Sequence, residues 1–103
     1  MANGYFLSRQ AEQDIDEIIE HLLQESIIAA DTFVEAAYSA FDRISTYPDI
    51  GHLREDLTNL PVKFWTVKWH YLVIYKPCDP VEIARVLSGY RDVSELLNTE
   101  IIL

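Results

Sequence analysis

The order of apolar and polar positions changes period twice along the chain, and the changes mark the elements. Asn3 to Leu7 is short and aromatic-rich and ends at Ser8, which suits a brief strand followed by a helix N-cap. From Arg9 the apolar residues recur at helical spacing. Ala11, Ile15, Ile18 and Leu22 form one stripe, widened by Ile19 and Leu23, while Glu12, Asp16 and Glu20 occupy other faces. The run Glu25-Ser26-Ile27-Ile28 breaks this register. A second stripe then passes through Ala30, Phe33, Ala37, Phe41 and Ile44, and Pro48 ends it. Ala29, Ala36, Ala37 and Ala40 favour helix and permit close approach, so two helices joined by so short a link are expected to lie antiparallel.

Pro48 to Pro61 carries turn residues without a period and reads as a connecting loop. Beyond it the residues are β-branched and aromatic. Val62–Val67, Trp69–Tyr75 and Val81–Leu87 predict three antiparallel strands, the last two separated by the turn Pro77-Cys78-Asp79-Pro80. Strict alternation places Lys63, Trp65 and Val67 on one face and Phe64, Thr66 and Lys68 on the other. In the last strand it sets Val81, Ile83, Arg85 and Leu87 against Glu82, Ala84, Val86 and Ser88. Asp92-Val93-Ser94-Glu95 fits a variant of the capping box for a short helix reaching Asn98. The expected fold is α+β. A short N-terminal strand leads into an antiparallel helical hairpin packed on a three- to four-stranded antiparallel sheet, with a short C-terminal helix, in one domain spanning residues 1–103.

Composition narrows the function classes. Half of the 103 residues are hydrophobic, enough for one modest core, which excludes a disordered or linker protein. A single cysteine, Cys78, excludes an intrachain disulfide and a Cys-based zinc site, and a reducing cytoplasm is the expected location. No apolar run approaches the ~18 residues of a membrane span, and the N-terminus lacks the basic start of a secretory leader. The net charge of −9 argues against a general nucleic-acid binder. That charge is unevenly spread. Up to Ile50 two basic residues face ten acidic ones, so the cations able to cluster are Arg54, Lys63, Lys68, Lys76, Arg85 and Arg91.

Little in the sequence suggests bond-making chemistry. His21, His52 and His70 show no short-range pairing, the carboxylates of the first helix are spaced as a solvated face, and there is no Gly-rich phosphate loop. No metal or cofactor is expected. Arg85 stands out inside an apolar series, where it would form a salt bridge, to a helix carboxylate or in the neighbourhood of Glu82, or meet an anionic ligand or partner. Tyr38, Trp65, Trp69, Tyr71 and Tyr90 offer more large aromatic surface than so small a core readily encloses, and interface anchoring is the expected use.

Five segments in register carry a more specific resemblance. Leu7-Ser8-x-x-Ala11-x-x-Asp14-Ile15-x-x-Ile18, Ala29-Ala30-x-x-Phe33, Pro48-x-x-Gly51-x-x-Arg54-x-Asp56-Leu57, Tyr71-Leu72-Val73-Ile74-Tyr75 and Val81-Glu82-Ile83-x-Arg85-Val86-Leu87-Ser88-Gly89-Tyr90-Arg91-Asp92 together resemble the ParE/RelE toxin superfamily, nearest its ParE branch. Ser88 stands where that branch usually has His before Gly, and Lys63 where it has Arg. The resemblance implies a growth-arresting toxin of a type II toxin–antitoxin pair of the plasmid-stabilising kind. Its implied partners are a cognate antitoxin, a small DNA-binding protein with an amphipathic tail, and, as target, the A subunit of DNA gyrase. Arg54, Lys63, Trp65, Arg85, Tyr90 and Arg91 are the candidate contacts with target or antitoxin. Two alternatives stand beside this reading. One is a RelE-like ribosome-dependent mRNA endonuclease, for which Arg91 matches a late arginine but Trp65, Leu72 and Leu97 stand near positions where basic groups and a tyrosine are needed. The other is an inactive toxin-fold module that binds an antitoxin.

Overall fold

The computed structural model describes residues 4–54, 58, 60–68 and 70–89. Strand β1, Tyr5–Leu7, is followed by α1, Arg9–Leu23, and α2, Ile27–Thr46; β2, Lys63–Val67, β3, Tyr71–Lys76, and β4, Val81–Ser88, complete the sheet. Both helices begin where a serine can cap them. The Ser8 hydroxyl accepts the Ala11 N–H at 3.0 Å and the Ser26 hydroxyl accepts the Ala29 N–H at 3.2 Å, each filling one of the donors a helix start leaves open. The two stripes meet as their spacing requires. Ala11, Ile15 and Leu22 of α1 and Ala30, Phe33, Ala37, Phe41 and Ile44 of α2 are buried in one core with the near face of the sheet. The expected short helix after Asp92 lies outside the described residues.

The sheet runs β1-β4-β3-β2. Pairing of β2 with β3 and of β3 with β4 is antiparallel, as expected. β1 differs: it pairs parallel with β4, Tyr5 beside Val81 and Leu7 beside Ile83, so the sheet is mixed. Two adjacent parallel strands need a crossover between them, and the helical hairpin provides it. A three-residue strand carries no signal of its direction, which the rest of the chain sets.

β3 is buried from Tyr71 to Tyr75. Tyr71, Val73 and Tyr75 face the helices, and Leu72 and Ile74 join Val62, Phe64 and Ala84 in a second cluster on the far face. A central strand covered on both sides loses the alternation of a half-exposed one, which explains its unbroken apolar run. The loop after Pro48 is tied by backbone pairing to the sheet at one described residue. His52 exchanges backbone hydrogen bonds with Phe64 at 2.8 and 2.9 Å, stitching the loop to β2.

One irregularity in β4 decides where its side chains go. Opposite β3 the register passes from Tyr75↔Ile83 to Ile74↔Arg85, so Ala84 is an extra residue, a β-bulge. Strict alternation therefore fails beyond it. Val86 joins Val81 and Ile83 on the helix side, while Leu87 joins Ala84 on the far side, which corrects the sequence-based assignment of both. A bulge takes backbone groups out of the ladder, and helix α1 supplies partners for them. Ser8 donates its hydroxyl to the Ala84 carbonyl at 2.7 Å while capping α1, and Asp14 Oδ2 accepts the Val86 N–H at 3.0 Å.

Ser8 thus holds two structures at once. Ser8→Ala is expected to destabilise the protein by about 2 kcal/mol, roughly 1 from the cap and 1 from the bond to Ala84. Ser26→Ala removes a cap alone and should cost about 1 kcal/mol. Urea unfolding of the two variants checks the difference, and equal losses would show that the Ala84 bond contributes nothing.

Candidate functional site

Of the six residues singled out as contacts, the structure describes four. Arg85 sits on the inner strand β4, only 8% exposed. Its guanidinium grips Asp14 through both arms, Nε to Oδ2 at 2.8 Å and Nη2 to Oδ1 at 2.9 Å, the geometry in which Arg and carboxylate bind most strongly. Of its sequence readings, the bridge to a helix carboxylate is the one realised, and Glu82 instead pairs with Lys76. Nothing local in the sequence pairs positions 14 and 85. The β-bulge and the crossing of α1 over β4 bring them together.

Lys63 and Trp65 lie two residues apart on β2, the strand at the sheet's edge, and both are half-buried. The Trp65 ring packs against the helix-side core and lies nearly parallel to His52, at 20° with centroids 6.3 Å apart. Arg54 follows His52 by two residues and is half-buried; its carbonyl accepts the Thr58 N–H at 3.1 Å. The loop residue shown paired with β2, the strand that bears Lys63 and Trp65, is His52. Arg85 is not part of that group, because β3 stands between β4 and β2 and separates them by about 10 Å. Tyr90 and Arg91 lie outside the described residues.

Two cations escaped the sequence reading of the site. Arg43 and Lys68 line a groove of about 350 Å3 between α2 and β2, with Trp65 and Val67 as its apolar floor. Arg43 belongs to the acidic half of the chain, which hid it, and Lys68, which strict alternation set on the face opposite Trp65, lies in the turn just after β2, where alternation no longer holds, and lines the same groove as Trp65. A second groove, of about 460 Å3, runs between α1 and the ends of β3 and β4, bounded by Glu17, His21, His70 and Ser88. Among the described residues no three His, Cys, Asp or Glu side chains gather as a metal site. No helix among them is long and apolar enough to cross a membrane.

The aromatic residues divide. Tyr38 is exposed and Trp65 half-exposed, as an interface would use them. Tyr71 does not belong with them, since it is buried in the core with its ring 4.7 Å from that of Phe33. Trp69 and Tyr90 lie outside the described residues. Burial pushes the Tyr71 and Tyr5 hydroxyls above the ordinary tyrosine range, and the carboxylates of Glu25 and Asp42 respectively add to the effect.

This arrangement matches a known architecture. The structure superposes on a protein titled "Chromosomal ParDE TA system from P. aeruginosa" with a TM-score of 0.68, at 18% identity, covering 84% of this chain and 96% of that one. No curated protein matches the chain in sequence. The family model described as "ParE toxin of type II toxin-antitoxin system, parDE" matches residues 5–93. The chain belongs to the ParE toxin family. It is accordingly a toxin of the type II toxin–antitoxin class.

Several of the residues behind the ParE resemblance are structural. Ser8, Asp14 and Arg85 hold α1 to the bulge of β4. Pro48 and Gly51 form a second such unit with Tyr75, whose hydroxyl donates to the Pro48 carbonyl at 2.6 Å and accepts the Gly51 N–H at 2.9 Å. The ParE motifs therefore specify how helices and loop are fastened to the sheet.

Proposed function

We propose that this ParE-family toxin arrests growth by binding the A subunit of DNA gyrase, without bond-making chemistry of its own, and that a cognate antitoxin neutralises it in the cytoplasm. The family match over residues 5–93 carries the reading. Support comes also from the β2 edge, where Arg43 and Lys68 line a groove with the half-buried Trp65 and Lys63 lies two residues before it on the same strand, a combination of cation and indole that suits desolvated protein contacts. Arg54, Lys63 and Trp65, with Tyr90 and Arg91, are the proposed contact residues. Arg85 is assigned to the fold.

The endonuclease reading is less well supported. Leu72, at a position where that chemistry needs a basic group, is fully buried in the far-face cluster, and Trp65 packs against the core. Neither can stabilise charge developing at phosphorus.

The test is expression without antitoxin. Cells are expected to filament and to show DNA-damage signalling while protein synthesis continues, because trapped gyrase breaks chromosomes and leaves ribosomes intact. Co-expression of the product of an adjoining antitoxin gene is expected to restore growth and to co-purify with the chain. Immediate translational arrest overturns the gyrase reading in favour of mRNA cleavage, and normal growth overturns the toxin reading in favour of the inactive module.

A further inference from the structure

Helix α2 buries one side and shows solvent another with a pattern of its own. Ile28, Asp31, Glu35, Tyr38 and Asp42 succeed one another at intervals of three, four, three and four, so they form a single stripe, and all five are exposed. The stripe is about 21 Å long, the rise of 14 helical residues. At its N-terminal end the apolar surface broadens: Ile28 is 77% exposed and Ile27 69%, and Leu23, at the end of α1, is 50% exposed. Three large aliphatic side chains together at the tip of the hairpin are not needed by the core, which Ala30 and Phe33 enter from the other side of α2.

Charge says what kind of surface covers them. Between positions 10 and 42 the sequence has nine carboxylates and neither Lys nor Arg. Asp14 is neutralised by Arg85, whereas Asp31, Glu35 and Asp42 take part in no ion pair among the described residues. We propose that this face of α2 is a docking surface for a cationic amphipathic helix of a protein partner. Lys or Arg residues of the partner meet Asp31, Glu35 and Asp42, and its apolar side chains cover Leu23, Ile27, Ile28 and Tyr38. A second copy of the chain is a poor occupant, because it would set carboxylate against carboxylate. Nucleic acids and anionic membranes are repelled for the same reason. Naming this partner as the antitoxin rests on the reading given above; the chemistry of the surface does not.

A synthetic 14-residue Leu/Lys helix, apolar on one face and cationic on the other, tests the surface when the full chain is titrated into it and fluorescence anisotropy is followed. Binding is expected, with the Leu/Glu counterpart inert and affinity falling at least tenfold between low and high salt. Asp31→Asn with Glu35→Gln, and separately Ile27→Ser with Ile28→Ser, are each expected to weaken binding at least tenfold while leaving the melting temperature unchanged, since all four side chains face solvent. Asp16→Asn with Asp49→Asn removes the same charge elsewhere and is expected to stay within twofold. Equal binding by the two charge-removing variants would reduce the effect to net charge and overturn the proposal, as would unchanged binding by Ile27→Ser with Ile28→Ser or a dimer in sedimentation that this variant dissolves. None of these outcomes depends on whether the chain arrests growth, so the docking surface and the toxin reading fail separately.

Discussion

Asp14→Ala is expected to destabilise the protein by about 3–5 kcal/mol, the largest effect of any single polar substitution in the described structure. The carboxylate carries three hydrogen bonds at once, two from the Arg85 guanidinium and one from the Val86 N–H. Its loss leaves a buried cation without its counter-charge and a bulge N–H without its acceptor. Asp14→Asn keeps one carbonyl oxygen for the Val86 N–H and should lose less than Ala. Arg85→Ala is expected to lower the melting temperature as well, with partner affinity intact in the molecules that remain folded. The informative variant is Asp14→Leu with Arg85→Met. Replacing both members of a buried pair by apolar groups of similar size avoids the orphaned charge, so the double variant is expected to recover most of the loss. Urea unfolding gives all four values. A loss under about 1 kcal/mol for Asp14→Ala would show that the pair stays hydrated and that β4 is held by packing alone.

Gly51→Ala is expected to cost about 2–5 kcal/mol, for a different reason. A Cβ at this position would lie 2.5 Å from the Tyr75 hydroxyl oxygen and 2.8 Å from the nearest ring carbon. Tyr75 cannot withdraw, because its side chain is wholly buried in the helix-side core. Accommodating the methyl means overpacking at roughly 1–3 kcal/mol and breaking one or both bonds of the hydroxyl to Pro48 and Gly51 at about 1 kcal/mol each. Gly4→Ala is the contrast. Gly4 has φ +80°, but no atom lies within 4 Å of an added Cβ, so only the backbone strain of about 1 kcal/mol remains. Tyr75→Phe in the Gly51→Ala background should rescue only partly, since the ring carbons collide as well as the oxygen.

The same tyrosine gives the fold an alkaline limit. Burial, the dominant cause, holds the Tyr75 hydroxyl above its ordinary value, Asp49 adds to this, and the bond from Gly51 partly opposes them. The folded state thus favours the protonated phenol. Its contribution is complete below the unfolded tyrosine value and disappears as pH rises through the raised folded one. Tyr75→Phe is expected to flatten the loss of stability above pH ~10, while Tyr5 and Tyr71, shifted in the same direction, retain their share of it.

Much of the architecture was legible because it rests on local periodicity. The stripes Ala11/Ile15/Leu22 and Phe33/Ala37/Phe41/Ile44 repeat at the helical period, and the residues that share a stripe are the ones the core buries. Ser8 as a cap and the turn between β3 and β4 were legible for the same reason, since a cap or a turn is decided within a few residues. The cations of the β2 edge were partly legible. Lys63 and Trp65 share a strand face, but Arg43 reaches the same groove from a helix about twenty residues earlier.

Local pattern was enough for the set of elements, for most of their buried faces, and for a family resemblance spread over five segments. Three things were decided only by tertiary structure. The parallel direction of β1 depends on where the helical hairpin returns the chain, because three residues have no preference of their own. The faces of Val86 and Leu87 depend on the bulge at Ala84, and a one-residue insertion in a ladder leaves no mark on residues that are apolar on either side. The role of Arg85 depends on a carboxylate 71 positions away. A charged residue in an apolar strand announces that it needs a partner, since burying it alone is prohibitive, but only the packing of α1 across β4 selects Asp14 as that partner.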